Sequence, residues 1–174
     1  MSRLIILLGI PGSGKSSIAK YLQSEFQEYK IISTDAIRAK LFGNEAIQGP
    51  WLKIWNEVEQ QLQEAIITTN TVIYDATNIS RKQRKEIIAL ARSKGFTEII
   101  GLWVNTKLEI CLKRNQQRHR QVPEAIILNM YQQLREVPPS YEEGFDRLLY
   151  YQNNATSTEI SSQSMRKNRT EPNF

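Results

Sequence analysis

Short apolar runs alternate with amphipathic stretches along most of the chain. The apolar runs lie at 4–8, 29–34, 71–74, 97–104 and 147–151. Most are continuous, which is typical of strands buried on both faces of a parallel sheet. The stretches between them carry apolar residues at helical spacing, at about 15–27, 36–41, 51–69, 81–94, 105–119 and 123–136. This alternation predicts an α/β fold, a right-handed, mostly parallel five-stranded sheet with helices on both faces.

The pattern changes at the end of the fifth apolar run. From Gln152 the chain is Asn, Ser, Thr, Gln and isolated charges with almost no apolar residues, which indicates a disordered polar tail over 152–174. Residues 1–151 suit a single domain with one core. No stretch is long and apolar enough to span a bilayer, and the single Cys111 cannot form an internal disulfide. We therefore expect a cytoplasmic protein without a membrane partner.

The turn after the first apolar run carries the clearest motif. Residues 9–16 match G-x-x-x-x-G-K-[ST], with a strand before and a helix after, as a phosphate-binding loop requires. Backbone N–H groups of such a loop face a phosphate, and the helix N-terminus adds partial positive charge. Lys15 is expected to reach the outer phosphates and Ser16 to ligate Mg²⁺. The sequence therefore predicts a site for ATP or another nucleoside triphosphate, formed by Gly9, Pro11, Gly12, Ser13, Gly14, Lys15, Ser16 and Ser17.

An acidic residue follows each of the next two predicted strands. Asp35 follows the second strand and Asp75 ends the third, and open α/β sheets bind ligands at the carboxyl ends of their strands. Arg38 is expected to share a helix face with Asp35, since the two are three residues apart. Asp75 is placed to hold a magnesium-bound water or a site arginine. Two plainer interpretations stay open: Asp35 as a helix cap, and Asp75 as a turn-forming residue.

The net charge of +5 is concentrated in two basic clusters. They consist of Arg81, Lys82, Arg84 and Lys85, and of Lys113, Arg114, Arg118 and Arg120. Basic clusters on a phosphate-handling scaffold favour an anionic partner, nucleotide or nucleic acid, although the first cluster equally fits a solvated helix face. Arg114 and Arg118 are expected one turn apart on one helix. With the helix after Pro123 they predict a lid at about 114–136, or else a surface hairpin with solvated arginines.

Three further residues invite a functional interpretation. Trp51 and Trp55 lie one turn apart in the third predicted helix, and such a pair can stack on a base or a sugar. An apolar stripe at helical spacing more often belongs to the core, and we expect core packing here. His119, the single histidine, is expected at the surface and not as a catalytic base.

Taken together, four segments resemble a known family. They are G-I-P-G-S-G-K-S-S, S-T-D-A-I-R, Y-D-A-T-N and K-R-N-Q-Q-R, the last followed by a helix that starts at a proline. This combination, spanning about residues 5–149, resembles the polynucleotide 5′-hydroxyl kinase domains of phage and bacterial RNA and DNA repair enzymes, within the zeta-toxin-like small P-loop kinases. Residues 139–146 also resemble a closing segment of this group. The resemblance implies a three-layer P-loop kinase fold with an adenylate-kinase-like helical lid.

The resemblance also implies a reaction and a set of residue roles. The reaction is transfer of the γ-phosphate of ATP to the 5′-hydroxyl end of RNA or DNA, with Lys15 and Ser16 holding triphosphate and Mg²⁺. Asp35 would take the proton of the acceptor hydroxyl, and Arg38 would bind the nearest phosphate of the acceptor. The remaining implied site residues are Arg118 on the transferring phosphoryl group, Arg114 in support, and Asp75 and Asn78 ordering the substrate side.

Two parts of this assignment stay open at the level of sequence. Asp35 and Asp75 are candidates for contact with Mg²⁺ through water. The acceptor is either a polynucleotide end or a small metabolite such as a sugar or a nucleotide-sugar. A third hypothesis is a nucleotide-dependent ATPase or switch in which Asp35 is only a cap.

Overall fold

The computed structural model describes residues 1–152 and contains a five-stranded sheet. The strands are β1 (Arg3–Leu8), β2 (Lys30–Ser33), β3 (Thr71–Asp75), β4 (Glu98–Val104) and β5 (Arg147–Tyr151). Their order is β2–β3–β1–β4–β5, and every neighbouring pair is parallel. The predicted sheet is therefore confirmed. The predicted tail lies outside the described residues, apart from Gln152.

Six helices flank the sheet within residues 1–152. They are α1 (Lys15–Glu25), α2 (Thr34–Phe42), α3 (Trp51–Thr68), α4 (Arg81–Ser93), α5 (Leu108–Gln116) and α6 (Glu124–Glu136), with a 3₁₀ turn at Tyr141–Glu143. Most bounds lie within two residues of the prediction. Two differences affect the site: α2 begins before Asp35, and α5 ends at Gln116, so the predicted continuation to His119 is wrong.

Alternate side chains of β1 enter two different core clusters. Leu4, Ile6 and Leu8 pack with residues of α3 and α4, whereas Ile5 and Leu7 pack with Ala19 of α1. Successive side chains of a strand point to opposite faces, so this division means that helices cover β1 on both sides. Burying one aliphatic side chain contributes about 1.5–3 kcal/mol, and all of Leu4–Leu8 are buried. This core holds β1 rigidly beneath the loop that follows it.

The strand order reverses at β1, because the chain builds β2 and β3 on one side of it and then β4 and β5 on the other. Such a reversal leaves a crevice at the carboxyl end of the central strand, which is where open α/β sheets bind ligands. Ser33 of β2 is in register with Asp75 of β3, so the segments that follow these strands emerge side by side. The sheet topology thus brings Asp35 and Asp75 to the edge that carries the phosphate loop.

Asn78 fixes the turn after β3 against the central strand. It adopts a φ of 51°, a left-handed conformation that asparagine tolerates better than most residues. Its buried Nδ2 donates to the carbonyl of Leu7 at 2.6 Å, and the backbone N–H of Gly9 donates to Thr77 at 3.1 Å. Ser80 then starts α4 through a capping box with Gln83, as its position predicted for the cap.

Arg84 of the first basic cluster forms a buried ion pair that has a structural role. The side chain of Arg84 is fully buried, and its Nε and Nη2 donate to the two carboxylate oxygens of Glu143 at 2.6 and 2.7 Å. It also donates to the carbonyls of Ile79 and Val137. Both interpretations of this cluster, solvated face and anion site, are therefore wrong for Arg84, which ties α4 to the 3₁₀ turn.

Within the part of the chain that the structure describes, none of the helices combines the length and the apolar character needed to cross a membrane.

Candidate active site

The phosphate loop wraps tightly around the end of β1. Gly12 and Gly14 have φ values of 80° and 103°, which side chains rarely tolerate. A Cβ on Gly12 would collide with the carbonyl oxygen of Cys111 in α5. Thr106 fastens the loop from the same side, because its Oγ1 donates to the carbonyl of Ser13 at 2.7 Å. The glycines therefore allow the loop to lie against the segment after β4.

Lys15, the first residue of α1, is held by the loop itself. Its Nζ donates to the carbonyls of Gly9 and Ile10 at 2.8 and 3.0 Å. Burial lowers its pKa to about 8, and the nearby Asp75 and Cys111 partly oppose this shift. An ammonium group in such a dry position gains strongly from an anion, because charges attract more in a medium of low dielectric constant.

Ser16 and Asp75 bring two oxygen ligands together beside the loop. The Oγ of Ser16 donates to the carboxylate of Asp75 at 2.7 Å. Burial raises the pKa of Asp75, against the opposing effects of the Ser16 hydrogen bond and of Lys15. Asp75 is thus part of the loop's surroundings and more than a turn-forming residue.

This pair fits a magnesium ion that arrives with a nucleotide. Hydroxyl and carboxylate oxygens are ligands that Mg²⁺ accepts, and the ion usually completes its shell with waters and substrate phosphates. The described residues contain no group of three or more His, Cys, Asp or Glu that would hold a metal unaided. Ser16 and Asp75 therefore suit a metal shared with a triphosphate and not a closed protein site.

Asp35 lies in the first turn of α2 and does not cap it. The cap is Ser33, whose Oγ accepts from the backbone N–H of Ala36 at 3.4 Å. The interpretation of Asp35 as a plain helix cap is therefore wrong. Its side chain is 43% exposed, and its Oδ1 contacts two guanidinium groups, those of Arg38 at 2.8 Å and Arg120 at 3.0 Å.

Arg120 is the site residue that sequence reasoning missed. It was recognised only as part of the second basic cluster, yet it connects the turn after α5 to Asp35 on α2. Nothing in the spacing of residues 35 and 120 indicates this contact. Arg38 differs from it in burial: its side chain is 13% exposed, and its Nε is buried without a hydrogen-bond partner.

Arg114 and Arg118 both border the cleft, but not on one helix face as predicted. Arg118 lies two residues beyond the end of α5, in the turn that leads towards α6. Arg114, still helical, donates through Nη1 to the carbonyl of Gly12 at 3.3 Å. Arg118 is exposed, as is His119, which was predicted at the surface. Helix α5 thus brings Arg114 to the phosphate loop, and the turn after it brings Arg118 to the cleft and Arg120 to Asp35.

One cleft of about 450 Å³ brings most of these residues together. The sequence-predicted residues that line it are Pro11, Gly12, Gly14, Lys15, Ser16, Ser17, Asp35, Arg38, Asp75, Asn78, Arg114 and Arg118. Gly9 and Ser13 are not among its lining residues. Both belong to the loop but do not face the cleft. The carbonyl of Gly9 accepts a hydrogen bond from Lys15, and the carbonyl of Ser13 accepts one from Thr106.

The expectation that both tryptophans belong to the core is wrong for Trp51. Trp51 is 45% exposed and lines the cleft, as does Trp55, which is half-buried at the edge of the core. Their ring centroids lie 5.9 Å apart. Three apolar residues from α6 and the turn before it line the same cleft: Val122, Ile126 and Met130.

The parallel sheet and the phosphate loop beneath an arginine-rich cleft define a P-loop kinase fold. Residues 4–137 match the family described as "AAA domain" (AAA_33), and the chain belongs to this family. The match covers the phosphate loop, α2 with Asp35 and Arg38, and the whole α5–α6 hairpin, Leu108–Glu136.

Three known proteins illustrate the range of proteins to which this chain is similar. An L-seryl-tRNA(Sec) kinase from Methanococcus maripaludis is 28% identical over 74% of this chain and 51% of its own length. A chain of the Pnkp1/Rnl/Hen1 RNA repair complex is 25% identical, with a TM-score of 0.70 over 83% of this chain and 46% of that one. A gluconokinase from Sinorhizobium meliloti shares the fold at 17% identity, with a TM-score of 0.54 over 85% and 81%. The chain thus spans about half the length of the first two relatives.

Proposed function

We propose that this protein transfers the γ-phosphate of ATP to the 5′-hydroxyl end of RNA or DNA. The observation that carries the proposal is the placement of Asp35 and Arg38 in the cleft that also contains the phosphate loop. A carboxylate suits an acceptor hydroxyl, and a guanidinium beside it suits a phosphate of the same acceptor. The similarity to a chain of an RNA repair complex supports a polynucleotide acceptor.

In the proposed reaction the acceptor oxygen attacks the γ-phosphorus as the bond to the bridging oxygen breaks, and ADP leaves. Asp35 receives the proton of the acceptor hydroxyl. A positioned general base typically contributes about 10²–10⁴-fold to the rate. Half-exposure suits this task, because the carboxylate must reach an acceptor that enters from solvent.

Charge on the donor is met by the loop and by the turn after α5. Lys15 exchanges its two carbonyl partners for phosphate oxygens, and Arg118, supported by Arg114, approaches the transferring group. Ser16 and Asp75 are the residues that would hold Mg²⁺, which neutralises phosphate charge when it is bound. An arginine of this kind contributes about 10³-fold or more on related scaffolds.

We propose that residues 114–136 of the α5–α6 hairpin act as a lid over the phosphates. It carries Arg118 and Arg120 in its turn, and Arg120 already contacts Asp35 across the cleft. Closure of such an element positions arginines and excludes water from the phosphates. We further propose that residues 1–151 form the kinase domain and that the segment from Gln152 is a polar tail outside it.

The direct test is transfer of labelled γ-phosphate from ATP with Mg²⁺ to matched RNA and DNA oligonucleotides ending in a 5′-hydroxyl. We expect labelling of at least one strand type, none on the same strands with a 5′-phosphate, and a rate of labelling lowered by about 100-fold or more with Lys15→Ala or Asp35→Asn. Glu45→Gln, in the exposed loop after α2, is the matched charge-removing control and should retain activity.

A second candidate has its own support. The similar kinases named above include one that acts on seryl-tRNA(Sec) and one on gluconate, by their names. Seryl-tRNA and a panel of sugars and nucleotide-sugars therefore form parallel arms of the assay. Turnover of one of these with inert oligonucleotides would replace the polynucleotide acceptor while retaining the kinase. ATP hydrolysis that Asp35→Asn leaves unchanged, with no transfer to any acceptor, would favour a nucleotide-dependent switch.

A further inference from the structure

The apolar stripe of α3 continues beyond the core into the cleft. Ile54, Val58 and Leu62 are fully buried against the sheet, at successive helical turns. Trp51 and Trp55 lie in the first two turns of α3, one turn before Ile54 and Val58 respectively, and both line the cleft. A tryptophan that is 45% exposed beside a deep cleft is costly to leave in water. The core therefore accounts for only part of this pair, and the surface of the two rings that faces the cleft is available to a ligand.

The loop before α3 and the packing of α2 hold this pair beside the proposed acceptor side of the site. Gly49, at a φ of 55°, lies so close to the ring of Phe42 that a Cβ there would collide with it. Lys40 of α2 and Glu57 of α3 form an ion pair at 2.5 Å. The helix that carries Asp35 and Arg38 is thus fastened to the helix that carries the tryptophans. The rings are presented next to the groups proposed to bind the acceptor.

The charged residues of the cleft indicate which kind of ligand would lie against the two tryptophan rings. Its cationic lining residues are Lys15, Arg38, Arg114, Arg118 and Arg120, and its acidic ones are Asp35, Asp75 and Glu86. The excess of positive charge favours an anionic ligand, and the tryptophans favour a flat aromatic one. A nucleotide is both, whereas a sugar acid such as gluconate lacks the aromatic ring.

We infer that Trp51 and Trp55, with Ile126 and Met130 of α6, form a seat for the terminal base of the acceptor, next to the 5′-hydroxyl that is phosphorylated. This inference rests on the proposed function and specifies how the end of the acceptor strand is recognised. The acceptor is recognised by its first base as well as by its phosphate. Since every base has a π-face, the seat accepts all four bases and gives no strict sequence preference.

The test compares two oligonucleotides that differ only at the first residue: one begins with an ordinary nucleoside, the other with an abasic sugar that keeps the 5′-hydroxyl. Base stacking on an aromatic residue corresponds to about 5- to 150-fold in binding. We expect the abasic strand to have a KM at least fivefold higher at similar kcat. Trp51→Ala should raise the KM of the ordinary strand by a similar factor and leave the abasic strand unchanged.

Two further variants separate stacking from loss of structure. Trp51→Phe keeps an aromatic face and should retain most of the discrimination between the two strands. Leu52→Ala is the matched control, because Leu52 is 68% exposed on the same helical turn and does not line the cleft. It should leave both KM values unchanged.

Each outcome supports or overturns the inference. Equal KM values for the ordinary and abasic strands in the unmodified protein would overturn the base seat while the proposed kinase remains. A Trp51→Ala effect on the KM of ATP, with none on the oligonucleotide, would assign the seat to the donor and also overturn it. Labelling of neither strand would overturn the polynucleotide kinase itself, and the base seat with it.

Discussion

Two arginine–carboxylate clusters, one in the scaffold and one in the cleft, use the same chemical groups in opposite ways. In the scaffold, Arg84 and Glu143 are both fully buried and meet through two short hydrogen bonds, with backbone carbonyls taking further donors. In the cleft, Asp35 is 43% exposed and receives Arg38 and Arg120 on one and the same oxygen. The first arrangement is closed to solvent and ligands, and the second is open to both.

The difference indicates that the buried cluster serves stability, and it is consistent with the proposed catalytic role of the cluster in the cleft. A buried ion pair is hard to break because a lone charge would remain in the interior. In the cleft the carboxylate of Asp35 is 43% exposed, so water weakens its attraction to the arginines and we expect this cluster to contribute less to folding than the buried pair. The open side of Asp35 also leaves room for a ligand, as the proposed function requires.

The largest expected effect is on catalysis at the open cluster. Asp35→Asn should lower the rate of phosphoryl transfer by about 10²–10⁴-fold, because the amide cannot accept the proton of the acceptor. Its effect on Tm should be small, because the side chain of Asp35 is 43% exposed and the amide can still accept hydrogen bonds from Arg38 and Arg120. Transfer kinetics and thermal unfolding on the same preparation measure both. A large fall in Tm together with the rate would show that Asp35 is a structural residue after all.

The converse change removes one partner of the closed cluster. Glu143→Gln should lower the free energy of unfolding by about 3–5 kcal/mol, because Arg84 keeps its charge in a buried position. The folded fraction should retain the kcat of the unmodified protein, which denaturant unfolding and active-site-normalised kinetics measure. Replacing both partners with apolar residues, Arg84→Met with Glu143→Leu, is the control. It should cost much less than the single change, and an equal loss would contradict the argument from the unpaired charge.

A third prediction concerns Lys15, which is buried like Arg84 but borders the cleft. Burial lowers its pKa from 10.5 to about 8. Above that pH the Lys15 amine must take up a proton before it can attract the phosphates as a cation. The affinity for ATP therefore falls as pH rises. The Kd of ATP should be level below about pH 8 and should then rise by up to tenfold per pH unit.

The matched control for this titration is Lys15→Arg. A guanidinium group stays charged throughout this range, so its Kd should show no rise above pH 8, whatever its absolute value. Equal slopes for the two proteins would assign the pH dependence to another group.

The sequence alone predicted those parts of the site that depend on local order along the chain. The loop from Gly9 to Ser16 follows from a motif between a strand and a helix, and Asp35 and Arg38 follow from their positions after a strand. Contacts between distant segments were missed. From the sequence, Arg84 is one residue of a basic cluster, and nothing local indicates that it is buried against Glu143, 59 residues away.

The same reason explains the errors at Trp51 and Arg118. Helical periodicity assigns a residue to the apolar face of α3 but does not tell how deeply that residue is buried, and Trp51, the first residue of α3, is 45% exposed. The end of α5 at Gln116 is not marked by a glycine or a proline, so the periodic pattern was extended too far. Both errors concern boundaries that tertiary contacts decide.

The smallest expected effect belongs to Arg120, which shares its contact oxygen on Asp35 with Arg38. Arg120→Ala should lower kcat/KM for the acceptor by about 2- to 5-fold, because Asp35 keeps the hydrogen bond from Arg38 and the lost ion pair is partly exposed to water. Raising the salt concentration should narrow the difference between the two proteins, since salt screens exposed charges. Steady-state kinetics at low and high salt measure this. A salt-independent loss as large as that of Asp35→Asn would mean that Arg120 contacts the reacting groups directly, and that the open cluster extends into the lid.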